Sequence, residues 1–569
     1  MERIYQKYTN ENTEIFTYRY FDDTKYHLTN NQENKTLILN ESSGYLFEIP
    51  TINFEFDYSL SSLRCKYFFD NSVLTTSFEN KNPYTDKKEK GWEIYLKEWL
   101  IPYLSNDEFL KNNQIEKIIE NNHEHDFLNK YERYSFYLHI KEMPENYYPF
   151  YCISIIRNKN NYKNFYLFVF KSKTNQIDTF EKICKSFKEI QKRGKALNVQ
   201  VEYQPIADEN WNDETKKYYA KLSNQKSIDW GIFTKSLVSK QDDAFDYISN
   251  FYKNEGDFYD KNMEHNFELL PTYMHISWAG KFNYFPKELA NEYAKGDGFN
   301  KKKVLHFTFQ YTASNNTSMV GYTPVFDVLR GKYDEYFRLL AKDLKEYHHP
   351  ILFRLNNEMN TDWTSYAGII TLLDPDIFIA SWKRLYEIFQ QEQVDNCIWI
   401  FNPIAITTPY SNWGEYLNYY PKGMVHMLGL TAYERGNMKK YHSFAMMYKK
   451  LYQKNTPYFV KFPHIISEFG AGCGGEVVYD YEQHKYLFLP VCRNLDKQVN
   501  FVNKMFDEIK KYPDYVKNIK AAIWFSANDY ANVNNKDYIM NYFCLDEKVA
   551  PTISAFKKGF KKVDKKSKK

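Results

Sequence analysis

Two glutamates close apolar segments in the second half of the chain: Glu358 ends PILFRLNNE and Glu468 lies near the end of HIISEFG. A strand buried on both faces is apolar along its whole length, so polar residues at one end indicate that this end opens into a cleft. Two carboxyl groups facing each other across a sugar are the minimum machinery of glycoside hydrolysis, because one protonates the leaving oxygen while the other attacks or activates water. Either glutamate alone is more often an ion-paired or solvated carboxylate, and only the pair predicts a catalytic site.

A basic residue accompanies the first of these glutamates. Alternation along a strand predicts that Arg354, Asn356 and Glu358 share one face unless a bulge intervenes. A guanidinium close to a carboxylate favours the ionised form of the carboxylate. We therefore expect Arg354 to hold a nearby carboxylate ionised.

The two glutamates belong to a series of short apolar runs that begins at Asp229. Stretches with helical periodicity, such as DEYFRLLAKDLKEY and FVNKMFDEIKKY, separate eight runs: DWGIF, ELLPTYMHIS, KVLHFTFQY, PILFRLNNE, NCIWIFNP, MVHMLGLTAY, HIISEFG and AAIWFSAND. Eight strands alternating with helices predict an α/β fold, a (β/α)8 barrel over residues 228–556 with its active site at the carboxyl ends of the strands. An open doubly wound sheet is the alternative, but no glycine-rich dinucleotide turn supports it.

The residues before the barrel have a different pattern. Residues 1–195 alternate in strand fashion, and YYPFYCISIIRNKNNYKNFYLFVFKSK predicts two strands joined by an asparagine-rich turn, followed by a helix that starts near Asp178. This predicts a smaller N-terminal α+β domain with an antiparallel sheet, which loosely resembles PsbP-like domains and whose role stays open. Residues 196–227 are polar and are interpreted as a linker, and residues 557–569 as a basic C-terminal tail.

Composition excludes several classes of protein. The formal net charge is only +4, so no overall basic field attracts nucleic acid. The chain has no apolar run of about 18 residues and no signal-peptide core at its start, so we expect no membrane span, and either a cytoplasmic protein or a secreted one lacking its export signal. The seven cysteines are scattered without a C-x-x-C pair. No cofactor fingerprint occurs, and we expect a monomer that needs neither metal nor cofactor.

Several longer motifs resemble one family of glycosidases. The stretch GKYDEYFRLLAKDLKEYHHPILFRLNNEMNTDW, the segment NYYPKGMVHMLGLTAY and the strand HIISEFG resemble glycoside hydrolase family 26, the β-mannanase family within the clan of retaining (β/α)8 glycosidases. The likeness covers roughly residues 230–529. It implies that Glu358 is the general acid/base and Glu468 the nucleophile, that Tyr433 hydrogen-bonds the nucleophile, and that Trp524 is the platform beneath the sugar. It also implies a polysaccharide or oligosaccharide substrate.

One residue departs from the family pattern. Family members usually carry histidine immediately before the acid/base, whereas this chain has Asn357. In the wider clan an asparagine at that place contacts the sugar 2-hydroxyl, which is axial in mannose and equatorial in glucose and xylose. The resemblance therefore implies a retaining endo-β-glycosidase with β-1,4-mannan as the leading substrate, and it leaves a β-glucanase, a xylanase, a transglycosylase or a non-catalytic glycan-binding barrel open.

Further candidates for substrate binding lie near the predicted strand ends. Flat aromatic faces suit sugar rings, and several of them in a row indicate an extended cleft and endo action. For any single one of these residues, packing in the protein core or chance exposure is as good an interpretation as substrate binding. The candidates are His275, Trp278, Gln310, Trp363 and Trp413.

Overall fold

The computed structural model describes the following residues of the chain: 13–20, 23–61, 63–83, 91–161, 163–194, 201–206, 210–234, 257–276, 291, 294, 302–312, 321–435, 441–480, 485–489 and 495–567.

The N-terminal part contains two antiparallel sheets. The first has the strand order β1-β2-β3-β4-β12 and the second the order β5-β6-β7-β11-β10-β9-β8. Their strands are β1 (Thr13–Tyr20), β2 (Asp23–Asn30), β3 (Lys35–Asn40), β4 (Tyr45–Ile49), β5 (Glu55–Ser61), β6 (Arg64–Phe69), β7 (Ser72–Glu79), β8 (Ile115–Phe127), β9 (Tyr131–Ile140), β10 (Phe150–Asn158), β11 (Phe165–Ser172) and β12 (Lys188–Glu189). The predicted α+β architecture with an antiparallel sheet is confirmed.

Short helices cover these sheets: α1 (Gly91–Tyr95), a π-helical turn (Leu96–Leu100), α2 (Ile101–Ser105), α3 (Asp107–Asn112) and α4 (Ile177–Lys185). The last of them is the predicted helix near Asp178, and it buries Phe180, Ile183 and Cys184 along one stripe. The helix ends at Lys185 because the chain then turns into β12, whose two residues pair with β4. The hydrophobic stripe therefore continues into Phe187 without helical geometry.

Eight parallel strands close the barrel in the order β13-β14-β15-β16-β17-β18-β19-β22. All eight apolar runs form strands, and the predicted (β/α)8 fold is confirmed. The strands are β13 (Asp229–Thr234), β14 (Leu269–His275), β15 (Val304–Gln310), β16 (Ile351–Leu355), β17 (Cys397–Phe401), β18 (Met427–Glu434), β19 (His464–Ala471) and β22 (Ile519–Ser526). Apolar side chains such as Leu352, Ile398 and Ile465 fill the interior, so the barrel is a packed core.

Helices surround the barrel and bury one apolar stripe each. In α8, for example, Phe337, Leu340, Ala341 and Leu344 recur at three- and four-residue spacing and are buried. The described helices are α5 (Asp213–Asn224), α6 (Asp257–Met263), α7 (Pro324–Leu329), α8 (Asp334–Tyr347), α9 (Pro375–Gln391), α10 (Phe444–Phe459), α11 (Leu495–Lys511), α12 (Asp514–Lys517) and α13 (Ala550–Ser567), with 3-10 turns at Tyr416–Tyr419 and Glu547–Val549. None of the described helices combines the length and apolar character needed to cross a membrane.

Two hairpins extend the barrel at the end where β19 and β22 finish. They pair β20 (Val477–Asp480) with β21 (Lys485–Phe488), and β23 (Asp529–Val533) with β24 (Lys536–Asn541). Both follow strands whose carboxyl ends are expected to carry the active site, so they stand beside the cleft.

The predicted linker contains a helix that closes the opposite end of the barrel. Leu222 on α5 and the preceding Trp211 join the apolar cluster of the barrel interior. The Trp211 indole nitrogen donates to the Cys397 carbonyl at 3.0 Å, at the start of β17. The side chain of Asn212 caps α5 by accepting from the Thr215 amide at 2.8 Å. Part of residues 196–227 therefore belongs to the barrel rather than separating two domains.

A continuous core joins the N-terminal sheets to the barrel helices. The Lys171 ammonium donates to the carboxylates of Asp374 and Asp376, at 2.7 Å each, and the Tyr151 hydroxyl donates to Asp374 at 3.0 Å. Lys171 is buried and its ammonium group is cut off from water, so the negative charges of the two aspartates compensate its positive charge. The two parts of the chain form one packed body along this contact.

Residues 557–567, interpreted from sequence as part of a basic tail, continue α13. Phe560 on this helix is buried, and its ring stacks on His265 with the centroids 3.8 Å apart. Lys557 and Lys561 on the solvent side pair with Glu264. Residues 557–567 are therefore part of an amphipathic helix, which their lysine-rich composition did not indicate.

Candidate active site

The segment that carries Glu358 leaves the strand in an unusual conformation. β16 ends at Leu355, and both Asn356 and Glu358 have positive φ angles, 45° and 60°. Their amides bridge the neighbouring strands, because the Asn356 N–H donates to the Phe309 carbonyl at 2.9 Å and the Glu358 N–H donates to the Asn402 carbonyl at 2.8 Å. Left-handed conformations of residues other than glycine are strained and cluster at functional sites.

This conformation overturns the alternation expected along the strand. The Asn356 side chain turns away from the cleft, is fully buried, and accepts from the Tyr311 amide at 2.7 Å. Asn356 therefore has a structural role. Arg354, two residues earlier, does face the cleft.

A β-bulge brings Glu468 into the barrel. Ile466 pairs with Leu430, but the next residue of β18, Thr431, pairs with Glu468, so Ser467 is the extra residue. Ile465 faces the barrel interior and Ile466 faces the helices. Strict alternation would turn Glu468 outward with Ile466, and the bulge turns it inward.

Glu468 accepts hydrogen bonds from four side chains. Its Oε1 receives the Arg354 guanidinium at 2.6 Å, the Tyr273 hydroxyl at 2.5 Å and the Asn357 amide at 3.3 Å. Its Oε2 receives the Tyr433 hydroxyl at 2.9 Å. Arg354 is fully buried, so the pair is a buried ion pair in which the carboxylate charge has a fixed positive partner.

Glu358 lies in a different environment. It accepts a hydrogen bond on Oε2 from the Trp363 indole nitrogen at 3.1 Å. Burial, followed by the negative charge of Glu468, raises the pKa of Glu358 to about 8. Glu358 is therefore protonated at neutral pH, whereas Glu468 is arranged as an acceptor, and the two carboxyl groups are prepared for opposite tasks.

The orientation of the Asn357 amide is determined by its neighbours. The Gln310 amide nitrogen donates to Asn357 Oδ1 at 2.8 Å, and the Asn357 nitrogen donates to Glu468. The Tyr366 hydroxyl donates to the backbone carbonyl of Asn357 at 2.7 Å. The residue that departs from the family pattern therefore contacts the second glutamate and has little freedom to turn.

The structure places Trp524 outside the cleft. The resemblance implied a sugar platform, but the Trp524 side chain is fully buried between β22 and the surrounding helices, with its ring centroid 5.2 Å from that of Phe556. The next residue, Phe525, faces the interior instead. Its ring is half-buried and lies 6.0 Å from Tyr433 and 6.4 Å from Tyr273, centroid to centroid.

Trp413 also lies away from the cleft. It is 2% exposed, and its backbone N–H donates to the Glu79 carboxylate of the N-terminal domain at 2.9 Å. Its ring packs so close to Gly368 that a Cβ there would lie 2.6 Å from the indole. Trp413 therefore belongs to the contact between the two parts of the chain.

The remaining candidates divide into three groups. Trp363 and Gln310 lie at the site, in contact with Glu358 and Asn357 respectively. His275 is the last residue of β14 and is half-buried, and Trp278 lies outside the described residues.

Tyr273 was missed by sequence reasoning. It lies two residues before His275 on β14, so both side chains leave the same face of the strand near the same edge of the barrel.

Comparison with known proteins gives a family for the region that holds this geometry. Residues 299–470 match the model of glycosyl hydrolase family 26, and this range includes both glutamates. The resemblance to glycoside hydrolase family 26 is confirmed. A curated relative, Endoglucanase H of Acetivibrio thermocellus, is 28% identical over 203 residues, which are 34% of this chain and 20% of the relative. The matched region thus spans about a fifth of that relative's length.

Two solved structures are similar to part of this chain at low sequence identity. A β-mannanase from a symbiotic protist of the termite Reticulitermes speratus is 14% identical, with 64% of this chain and 96% of that one covered and a TM-score of 0.40. A mannanase from Bacillus subtilis is 15% identical, with 57% and 89% covered and a TM-score of 0.36.

Proposed function

We propose that the protein is a retaining endo-β-glycosidase that hydrolyses a β-linked polysaccharide by double displacement. The observation that carries this proposal is the contrast between the two carboxyl groups: Glu358 is half-buried with its pKa raised to about 8, and Glu468 accepts from Arg354, Tyr273, Asn357 and Tyr433. Retaining and inverting glycosidases both need one protonated and one ionised carboxyl group at the same pH, and the retaining course is proposed from the resemblance to glycoside hydrolase family 26.

In the first step, Glu358 donates its proton to the glycosidic oxygen while Glu468 attacks the anomeric carbon. Oε2 of Glu468 accepts from Tyr433, whereas Oε1 faces Arg354, Tyr273 and Asn357, so Oε2 is the better placed oxygen for attack. The bond between the anomeric carbon and the leaving oxygen breaks, and the glycosyl group becomes an ester of Glu468.

In the second step, Glu358 acts as a base. Once Glu468 is esterified its negative charge is gone, and this charge is one of the causes that raise the pKa of Glu358. The pKa of Glu358 therefore falls in the intermediate, and the carboxylate takes a proton from the water that attacks the anomeric carbon. Two inversions at the same carbon leave the product with its original configuration.

Two classes of polysaccharide are candidate substrates. The leading candidate is a β-1,4-mannan-type polysaccharide, since the similar solved structures include enzymes described as β-mannanases. A β-glucan is the second candidate, because Asn357 replaces the usual family histidine and a matched relative is described as an endoglucanase. A xylan, a transglycosylase reaction and a non-catalytic glycan-binding barrel are the further alternatives.

The test is reducing-end release and product sizing on mannan, glucomannan, mixed-linkage glucan, β-1,3-glucan and xylan. We expect Glu358→Gln to lower turnover on the preferred polymer by on the order of 10² to 10⁴, the usual share of general acid/base catalysis, and to spare the first step on substrates with good leaving groups. Glu468→Gln should suppress both. Glu468→Ala with azide should release a sugar azide of inverted configuration.

A matched control is available on a neighbouring strand. Glu434 ends β18, is also buried, and binds the backbone and ring of His442 rather than the cleft residues. Glu434→Gln should keep most of the activity. Inversion in the hydrolysis product would reject the retaining mechanism, and full activity in both the Glu358 and Glu468 variants would reject the catalytic assignment. Binding to a glycan without turnover of any would favour the non-catalytic alternative.

A further inference from the structure

Two histidines lie side by side on β8, the edge strand of the seven-stranded N-terminal sheet. His123 and His125 are two residues apart on β8, so their side chains leave the strand on the same face. Their ring centroids are 3.9 Å apart, and both residues are exposed. From the sequence we expected no metal site because no cluster of metal ligands is visible along the chain, and this histidine pair gains a third ligand only from the next strand.

That partner is Glu132 on β9. Its Oε1 lies 2.7 Å from His123 Nε2. One ligand atom from each of His123, His125 and Glu132 can be chosen so that all three lie within 4.8 Å of one another. Two imidazole nitrogens and a carboxylate oxygen at this separation can reach one ion, because metal–ligand distances of about 2.0–2.2 Å place two ligands of a tetrahedron about 3.3–3.6 Å apart.

We propose that His123, His125 and Glu132 form a binding site for a divalent transition metal, with Zn²⁺ as the ion of best fit. The two histidines and one carboxylate supply three ligands, and water takes the fourth position. Imidazole ligands suit zinc, copper and nickel, whereas Mg²⁺ and Ca²⁺ prefer sites made of oxygen alone.

The surrounding residues already hold two of the ligands in place. The His123 ring stacks on Tyr134, with centroids 4.1 Å apart and planes 12° apart. The Tyr134 hydroxyl donates to Glu132 Oε1 at 2.8 Å, and Arg157 binds the other oxygen, Oε2. Because Arg157 pairs with Oε2, the other oxygen, Oε1, points toward the histidines. Hydrogen bonds of this kind orient metal ligands and tune the affinity for the metal. The ion would take the place of the proton between His123 and Glu132.

The position of the site gives it a structural consequence. β8 is the last strand of its sheet, and its pairing with β9 is irregular between Lys117 and Ile119, between Ile119 and Asn122, and between Glu124 and Phe127. An ion bound to His123, His125 and Glu132 would connect β8 to β9 between the last two of these irregularities. Edge strands are the part of a sheet that opens most easily, so metal binding should stabilise this hairpin against opening.

The test uses the full-length protein and metal salts alone. Isothermal titration with ZnCl₂ should give one bound equivalent for the wild type, and Zn²⁺ should raise its melting temperature with increasing concentration. Cu²⁺ electron paramagnetic resonance should show two nitrogen ligands. His125→Ala should lose the bound equivalent and the thermal shift, and because His125 is exposed this variant should fold as the wild type does. His123→Ala should have the same effect.

The matched control lies on the same two strands. His139 on β9 pairs with Glu116 on β8 at 2.9 Å, which reproduces one histidine–carboxylate contact without a second histidine. His139→Ala should keep the bound equivalent. The proposal is overturned if the wild type binds no Zn²⁺, if His125→Ala binds as the wild type does, or if His139→Ala is the variant that loses binding. Glycan hydrolysis does not enter these measurements, so they stand apart from the proposed catalytic function.

Discussion

Replacing Glu358 with glutamine should stabilise the protein, and the gain should increase with pH. The wild-type side chain is half-buried next to Glu468, and loss of solvent and the charge of Glu468 raise its pKa from an ordinary value of 4.5 to about 8. Glutamine is neutral at every pH and keeps a carbonyl oxygen that can accept from Trp363. The substitution therefore removes the penalty of burying a charge while preserving the shape of the side chain.

The pKa difference sets the size of the effect. Below pH 4.5 Glu358 is protonated in both the folded and the unfolded chain, so its ionisation has no influence on stability. Between pH 4.5 and about 8 the unfolded chain releases this proton while the folded chain keeps it, so folding stability falls as pH rises, and the loss is complete above pH 8. At ~1.4 kcal/mol per pKa unit, a raised pKa of this kind amounts to a loss of several kcal/mol.

Urea unfolding of the wild type and Glu358→Gln, between about pH 5 and about pH 8.5, measures this effect. The difference in the free energy of unfolding should be small near pH 5 and should grow to several kcal/mol above pH 8, because the contributions of groups that do not interact with Glu358 cancel in the difference. A second pair of proteins carries Glu468→Gln in both members. Removing the charge of Glu468 lowers the pKa of Glu358, so the pH dependence of the difference should shrink.

A difference that stays constant across this pH range would refute the assignment of a raised pKa to Glu358. A difference that decreases with pH would show that the ionised form is the favoured one in the folded protein. In either case Glu358 could not serve as the acid of the reaction, and the proposed mechanism would lose its main support.

Three further predictions test other parts of the structure. Glu79→Ala should destabilise the protein by about 1–3 kcal/mol for each of the two buried backbone N–H groups, those of Asn412 and Trp413, that lose their acceptor, and urea unfolding that matches the wild type would contradict this. Phe525→Ala should raise KM on polysaccharide at a near wild-type melting temperature, whereas Trp524→Ala should lower the melting temperature by a loss of about 3–5 kcal/mol; the reverse pattern would return the platform role to Trp524. A fragment that starts at Ser223 should be insoluble, because it lacks most of α5 and the N-terminal face of the shared core, and a soluble, active fragment would show that the barrel folds alone.

The sequence by itself determined the fold and pointed to the two glutamates of the candidate site. Each of the eight apolar runs is a local pattern that no distant contact needs to complete, and all eight became barrel strands in the expected order. Glu358 and Glu468 could be selected because each polar group interrupts an apolar run near its carboxyl end. Local pattern was also misleading where composition dominated: the lysines after Lys557 concealed the buried Phe560, and the polar residues before Ser227 concealed α5.

Tertiary structure decided which side chains meet. Tyr273 and Glu468 are 195 positions apart, and nothing local to either residue indicates that they share a hydrogen bond. The direction of Glu468 depends on a bulge at Ser467, which exists only once β19 pairs with its neighbours β18 and β22, and without it the nucleophile candidate would face the helices. Trp524 and Phe525 are both aromatic, so composition could not tell which faces the interior. The pKa of Glu358 likewise depends on burial and on the charge of a residue from another strand, and both arise only when the barrel closes.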